Sequence, residues 1–334
     1  MIELALRQAD VAQIRFAHSP LQELVGSVIT LQDAARQPMH RRWLRWAEPR
    51  LHGGCFDLLF ALMPANRYYP DFLTPMCGSG TNEFVDELEA VRATPAEQVR
   101  AELDDMDGEL PAAARALYED PARQLGRVVD QLRAYWRLVL EPVWPRVSAL
   151  TADDVGYRLQ QCADEGIGRV LNSVSAHVVF HGDVLMVDKR YTCRHDLGGA
   201  GLLLVPCVFV WPTVTVTCCG AAQPSITYPP RGLGTAWERR GDRGPEPLGA
   251  LVGRTRAAML DVLGLPVTTT QLAARLGISA AAASQHLQIL KAAALVQSRR
   301  QGRLVLYQRT PAGTVLHEAA RRQHLESLPA GLAG

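Results

Sequence analysis

From Leu197 to Pro230 the chain carries no Asp, Glu, Lys or Arg, and an uncharged stretch of that length has to be folded into an interior. Pro206, Pro212 and Pro224 interrupt it among many β-branched residues, so short buried strands are expected rather than a helix. Its apolar runs fall short of the ~20 residues that span a bilayer, so no membrane span is expected.

Around this block the hydrophobic period differs. Residues 1 to about 165 read as helical. Thr94-Pro95-Ala96-Glu97 places a capping Thr, a Pro and a Glu in the order of a capping box. Asp120-Pro121 repeats the start signal before Leu125, Val128, Val129, Leu132, Trp136 and Val139, which recur at helical spacing. A further helix is predicted from about Thr151 to Asp164, ended by Gly166 to Gly168. After it, two β-rich runs flank His181-Gly182-Asp183, followed by runs at 202–205, 207–210, 214–218 and 225–228. That pattern predicts a small antiparallel sheet. Arg239 to Gly249 is rich in Gly, Pro and charge without apolar periodicity, which marks a boundary. The expected class is α+β, mainly α. A helical domain covers 1–167, a small sheet packed on it 168–238, a linker 239–247 and a last domain 248–334.

The net charge of +1 hides an asymmetry. From Ala250 onward there are ten Lys and Arg against three Asp and Glu, leaving 25 against 31 before it. A basic tail on an acidic body suits a chain of which one part approaches a polyanion. The N-terminus, MIELALRQADVAQIRF, has acidic residues where a signal peptide has an apolar core, so a cytoplasmic location is expected. Seven cysteines in a long chain read as reduced thiols.

Within the tail, Leu248, Leu251, Val252, Met259, Leu260 and Leu263 predict a first helix ending near Gly264 and Pro266. Thr268-Thr269-Thr270 caps a short helix with Leu272, Ala273 and Leu276. Gly277 makes a turn, and Ser279 caps a second helix to about Ala294. At 100° per residue Ala283, Leu287 and Leu290 form the core stripe of that helix, continued by Ala294. The opposite face holds Ala281, Ser284, Gln285, Gln288 and Ala292. It offers hydroxyl, amide and methyl groups and no acid, the set a major groove accepts. His286 falls beside the core stripe, for packing or phosphate contact. Gln297-Ser298-Arg299-Arg300-Gln301-Gly302-Arg303 then leads into alternating Leu304 to Tyr307, two strands around a basic turn whose arginines are expected to reach the phosphate backbone or the adjacent minor groove of DNA. Thr310-Pro311 starts a last helix.

Residues 248–325 resemble the ArsR-type winged-helix regulators, with LAARLGISAAAASQHLQILKAAALVQSRRQGRLVLYQRT standing where that family carries its signature. The resemblance implies a dimer formed through the first and last helices of the domain. The N-terminal part also resembles a long extension on an actinobacterial branch of such regulators, through HSPLQELVGSV, PDFLTP and YPPRGLGTAWE. The chain departs from metal-sensing members. No cysteine follows Cys219, and the last helix offers only His317 and His324.

The expected DNA-contacting set is Thr269, Thr270, Ser279, Ala281, Ser284, Gln285, His286, Gln288, Lys291, Arg299, Arg300, Arg303 and Tyr307. Trp211, Tyr228, Arg231 and Trp237 form a candidate effector pocket, or else core aromatics beside an exposed Arg. Cys193, His195, Cys207, Cys218 and Cys219 with His177 and His181 lack CxxC spacing, so no metal is expected. No nucleophile with a base, phosphate loop or carboxylate pair has usable spacing. Gly78-Ser79-Gly80 and Gly198-Gly199-Ala200-Gly201 read as loops, and neither enzyme activity nor a cofactor is expected. The expected function is a dimeric DNA-binding regulator, a repressor, whose partners are a double-stranded DNA operator, a second copy of the chain and a small-molecule effector, with no membrane. The alternative is a small-molecule sensor whose N-terminal body carries the main activity.

Overall fold

A computed structural model describes the chain except residues 66, 77–82, 190, 219–222, 238–246, 265, 277, 302–303 and 327–334. The fold is α+β and mainly helical, in two compact units, Met1–Trp237 and Glu238–Gly334. Among the described residues no helix is long and apolar enough to cross a membrane.

The first unit opens with β1 (Ile2–Ala5), α1 (Gln8–Ala12) and β2 (Ile14–Phe16). Its helical body follows as α2 (Pro20–Gln32), α3 (Arg41–Leu51), α4 (Asp57–Leu62), α5 (Phe84–Arg92) and α6 (Ala96–Asp104). Next come α7 (Ala112–Glu119), α8 (Pro121–Tyr135), α9 (Trp144–Glu165) and α10 (Ile167–Leu171). The later strands are β3 (Val178–His181), β4 (Val184–Val187), β5 (Cys193–Asp196), β6 (Leu202–Pro206), β7 (Thr215–Thr217) and β8 (Ser225–Tyr228).

Residues 2–5 and 14–16 are therefore strands, not the helix their neighbourhood implied. They join two four-stranded sheets, ordered β3-β4-β1-β5 and β2-β6-β8-β7. Both sheets are mixed rather than antiparallel, because β1 runs parallel to β5, and β2 and β8 run parallel to β6. Parallel pairs need long crossovers, which here are most of the unit. The uncharged block supplies β6 and β8, every residue of which is buried, as strands covered on both faces must be.

Local signals act where they are short-ranged. Asp120 caps α8 by accepting the Arg123 amide at 3.2 Å. Gly166, at φ +83°, ends α9. That helix begins at Trp144, earlier than the spacing implied, with a proline in its first turn. The capping box at Thr94 does not form. Pro95 occupies the cap of α6, and the Thr94 hydroxyl turns back to donate to the Ala90 carbonyl at 3.3 Å.

The core is organised around α2, whose residues from Pro20 to Val28 are all buried. Gly26 lets the neighbouring chain approach, since a Cβ there would lie 3.0 Å from Phe209 Cβ. Residues 207–210, expected as strand, include a 3-10 turn over Val208–Val210. The cause is Glu23 on α2. Its carboxyl accepts the Val208 amide at 2.8 Å, the Phe209 amide at 3.3 Å and the Cys207 thiol at 3.2 Å. These bonds consume the backbone donors that a sheet would use. Burial pushes the Glu23 carboxyl up to about 7, against the downward pull of those donors.

The second unit contains α11 (Pro247–Val252), α12 (Arg254–Val262), β9 (Val267–Thr268), α13 (Thr269–Leu276) and α14 (Ala280–Ala292). It closes with β10 (Val296–Gln301), β11 (Leu304–Arg309) and α15 (Pro311–Glu326). The single helix expected over 248–263 is broken at Gly253, φ +87°. Of the linker expected over 239–247, residues 239–246 lie outside the described residues and Pro247 opens α11. Leu248, Leu260, Leu272, Leu287, Leu290 and Val296 are among the residues of its separate core. The strands form a three-stranded antiparallel sheet ordered β10-β11-β9.

Candidate nucleic-acid interface

Two short helices and a hairpin build the basic face of the second unit. Thr268 and Gln271 exchange reciprocal bonds at the start of α13. The Gln271 amide donates to Thr268 Oγ1 at 3.2 Å, and the Thr268 amide donates to Gln271 Oε1 at 2.9 Å. Thr269 and Thr270 lie within the first turn, half-buried and exposed respectively. Gly277 lies outside the described residues. Ser279 accepts the Ala282 amide at 3.1 Å and starts α14.

Ala283, Leu287 and Leu290 of α14 are buried. Ala281, Gln285, Gln288 and Ala292 are exposed, and Ser284 is half-buried. His286 is half-buried, with its Nδ1 enclosed and without a hydrogen-bond partner among the described residues. The helix stops before Ala294, which turns to φ +57° and is exposed rather than continuing the core stripe. Thr310 fastens this exit, its hydroxyl donating to the Ala294 carbonyl at 2.7 Å and its amide to the Leu295 carbonyl at 3.0 Å.

In the hairpin, Ser298 faces Tyr307 and Arg300 faces Val305 across the ladder. Arg299 and Arg300 are exposed, while Tyr307 packs half-buried on the core. Arg303 lies outside the described residues. A cavity of about 160 Å³ at the foot of the hairpin is lined by Pro266, Gln297, Ser298, Arg299, Leu306 and Gln308. The exposed Lys291 ammonium donates to Ser298 Oγ at 2.8 Å, tying α14 to β10. Sequence reasoning passed over Ser298; its place seven residues after Lys291, across a helix end and a turn, gave no periodic signal. Farther from this face, His317 on α15, nearly buried, pairs with Asp261 on α12 at 2.5 Å.

The four residues considered for an effector pocket fall into two settings, Trp211 and Trp237 against the helical core and Tyr228 and Arg231 joined through Asp154. Trp211 and Trp237 pack on the helical core, with the Trp237 indole donating to His40 Nδ1 at 3.1 Å. Burial pulls the His40 imidazole down to about 4. Tyr228 belongs to the core between the sheets. Arg231 is exposed, with its guanidinium 3.4 Å from the Tyr157 ring centre. Of the cysteines and histidines considered for a metal, Cys207 is held by Glu23 and His177 lies 3.8 Å from Asp188. Cys219 is outside the described residues. Among the described residues no three His, Cys, Asp or Glu side chains are grouped to hold a metal.

Residues 254–299 match the family model of a helix-turn-helix domain, and the second unit carries that domain. Residues 109–233, within the first unit, match a family of unknown function, DUF5937. No curated protein matches the chain. Among solved structures, a mutant of Lactococcus lactis ZitR is 28% identical over 22% of this chain and 52% of that one, with a TM-score of 0.20.

Proposed function

We propose that this chain is a DNA-binding transcriptional regulator, a homodimeric repressor that reads a double-stranded operator through α14 and rests its hairpin on the sugar-phosphate backbone. The observation that carries this reading is the composition of α14 beside β10. A helix capped by Ser279 exposes Ala281, Gln285 and Gln288 without an acid, next to a strand bearing Arg299 and Arg300. Gln pairs with an adenine edge, Ala methyls meet thymine methyls, and arginines neutralise phosphates. The helix-turn-helix match over 254–299 supports it. The first unit then serves dimerisation, the sensing of a small-molecule effector, or both.

Two-fold symmetry gives the operator the form of an imperfect inverted repeat, with half-site centres about 10 bp or a small multiple apart. The test compares two variants on operator and random duplexes across salt concentrations. Gln285→Ala is expected to cost on the order of 1–3 kcal/mol on operator only and to relax preference at one base position. Arg299→Ala is expected to weaken both duplexes and to make the salt slope shallower by about 0.9. Parent-like binding of both duplexes by both variants would count against the reading.

A further inference from the structure

Lys291 falls on α14 between the buried stripe of Ala283, Leu287 and Leu290 and the exposed face of Gln285 and Gln288. A lysine in that position ordinarily samples many rotamers. Here its ammonium is committed to Ser298 Oγ on β10. The hydroxyl that accepts from it keeps its own proton, which no acceptor among the described residues takes. Two residues on, Arg300 shares the face of β10 that Ser298 occupies, and is exposed. Neither α14 nor β10 contains an acid. The junction of helix and hairpin thus presents an ammonium and a hydroxyl proton, both donors.

We propose that Lys291 and Ser298 form one binding unit for a phosphodiester oxygen of DNA, in which Ser298 is a positioning residue that pre-orders the Lys291 ammonium. The inference rests on the DNA-binding reading above and deepens it. A phosphate oxygen seated there accepts from an ammonium already held by the Ser298 hydroxyl, so binding costs less side-chain freedom than capture by an unrestrained lysine. Charge and positioning then separate experimentally, because the salt dependence counts charges whereas pre-ordering changes affinity at constant charge.

The test measures affinity of the full chain for operator and random duplexes over a salt series, with the fold of each variant checked by circular dichroism. Ser298→Ala is expected to weaken both duplexes by about three- to tenfold with the salt slope unchanged. Lys291→Met is expected to make the slope shallower by about 0.9. Adding Ser298→Ala to Lys291→Met is expected to do nothing further, and Ser298→Thr to retain parent affinity. The proposal is overturned if Ser298→Ala binds as the parent does, or if it costs as much in the Lys291→Met background as alone. A parent chain that binds no duplex at low salt removes the DNA-binding reading and this inference together, whereas parent binding with an uncoupled pair removes this inference only.

Discussion

The phenol of Tyr228 donates to Asp154 Oδ2 at 2.8 Å, joining the last strand of the first unit to α9 across 74 residues of sequence. The other oxygen of Asp154 accepts the Arg231 amide at 3.0 Å, and the Arg158 guanidinium lies 3.6 Å away, nearly fully buried. Arg158 in turn donates to the Ser173 carbonyl and hydroxyl at 2.9 and 2.6 Å. Burial and the neighbouring Asp154 carboxylate push the Tyr228 phenol well above its ordinary value, so it stays a donor.

Removing either end of this network has a different expected cost. Tyr228→Phe deletes one donor and is expected to destabilise the first unit by about 1–2 kcal/mol. Asp154→Ala leaves Arg158 buried without its counter-charge, which costs about 3–5 kcal/mol. All six tryptophans precede Glu238, so urea unfolding followed by tryptophan fluorescence reads the first unit separately. Equal midpoints for the two variants would contradict the buried-charge argument.

Glu23 and His40 give the first unit opposing pH dependences. The folded Glu23 value is raised from 4.5 to about 7, so its contribution is present below about 4.5 and is lost as pH rises to about 7. His40 is lowered from 6.5 to about 4, so its contribution is present above 6.5 and is lost as pH falls toward 4. Glu23→Gln is expected to remove a loss of roughly 2–3 kcal/mol between pH 4.5 and 7. His40→Gln is expected to flatten the acid side. Urea midpoints across pH 4 to 8 check both, and a Glu23→Gln profile parallel to that of the parent would contradict the assignment.

At Gly26 the backbone of α2 passes close to the turn at Phe209. Because the contact at 3.0 Å is Cβ against Cβ and backbone atoms lie at 3.2 and 3.3 Å, no flexible side chain can yield. Gly26→Ala is expected to destabilise by about 1–3 kcal/mol despite the better helix propensity of Ala. Thermal unfolding tests the sign, and a higher midpoint would refute it.

The proposed dimer makes a prediction at α11 and α15, which pack together in the second unit. Leu251 on α11 is 71% exposed and Val315 on α15 is 67% exposed. If these helices face a second copy, Leu251→Asp with Val315→Asp is expected to halve the mass seen by sedimentation equilibrium without unfolding either unit. An unchanged dimer mass would place the contact elsewhere.

Much of the second unit was legible because its signals are local. The Ser279 cap, the Ala283–Leu287–Leu290 stripe and the alternation of β11 each act over one to three turns or a single hairpin, so neighbouring residues suffice to read them. Asp120 before α8 and the hairpin at Gly182 are legible for the same reason. Thr94 shows the limit even there, since two local uses of one hydroxyl competed and closing the preceding helix won.

The sheets of the first unit were decided only by the tertiary structure. Ile2 pairs with Cys193 and Ile14 with Leu202, partners far along the chain, and no period within either segment names such a partner. The same holds at Val208, where strand-forming residues become a turn because a buried carboxylate on α2 takes their amides. By itself the sequence determined that Thr268 to about Ala294 form a capped helix pair leading into a basic strand, because capping and periodicity are encoded within a few residues. Which strands meet, and which buried charges they enclose, depends on burial summed over the whole unit, and that sum exists only once the chain is folded.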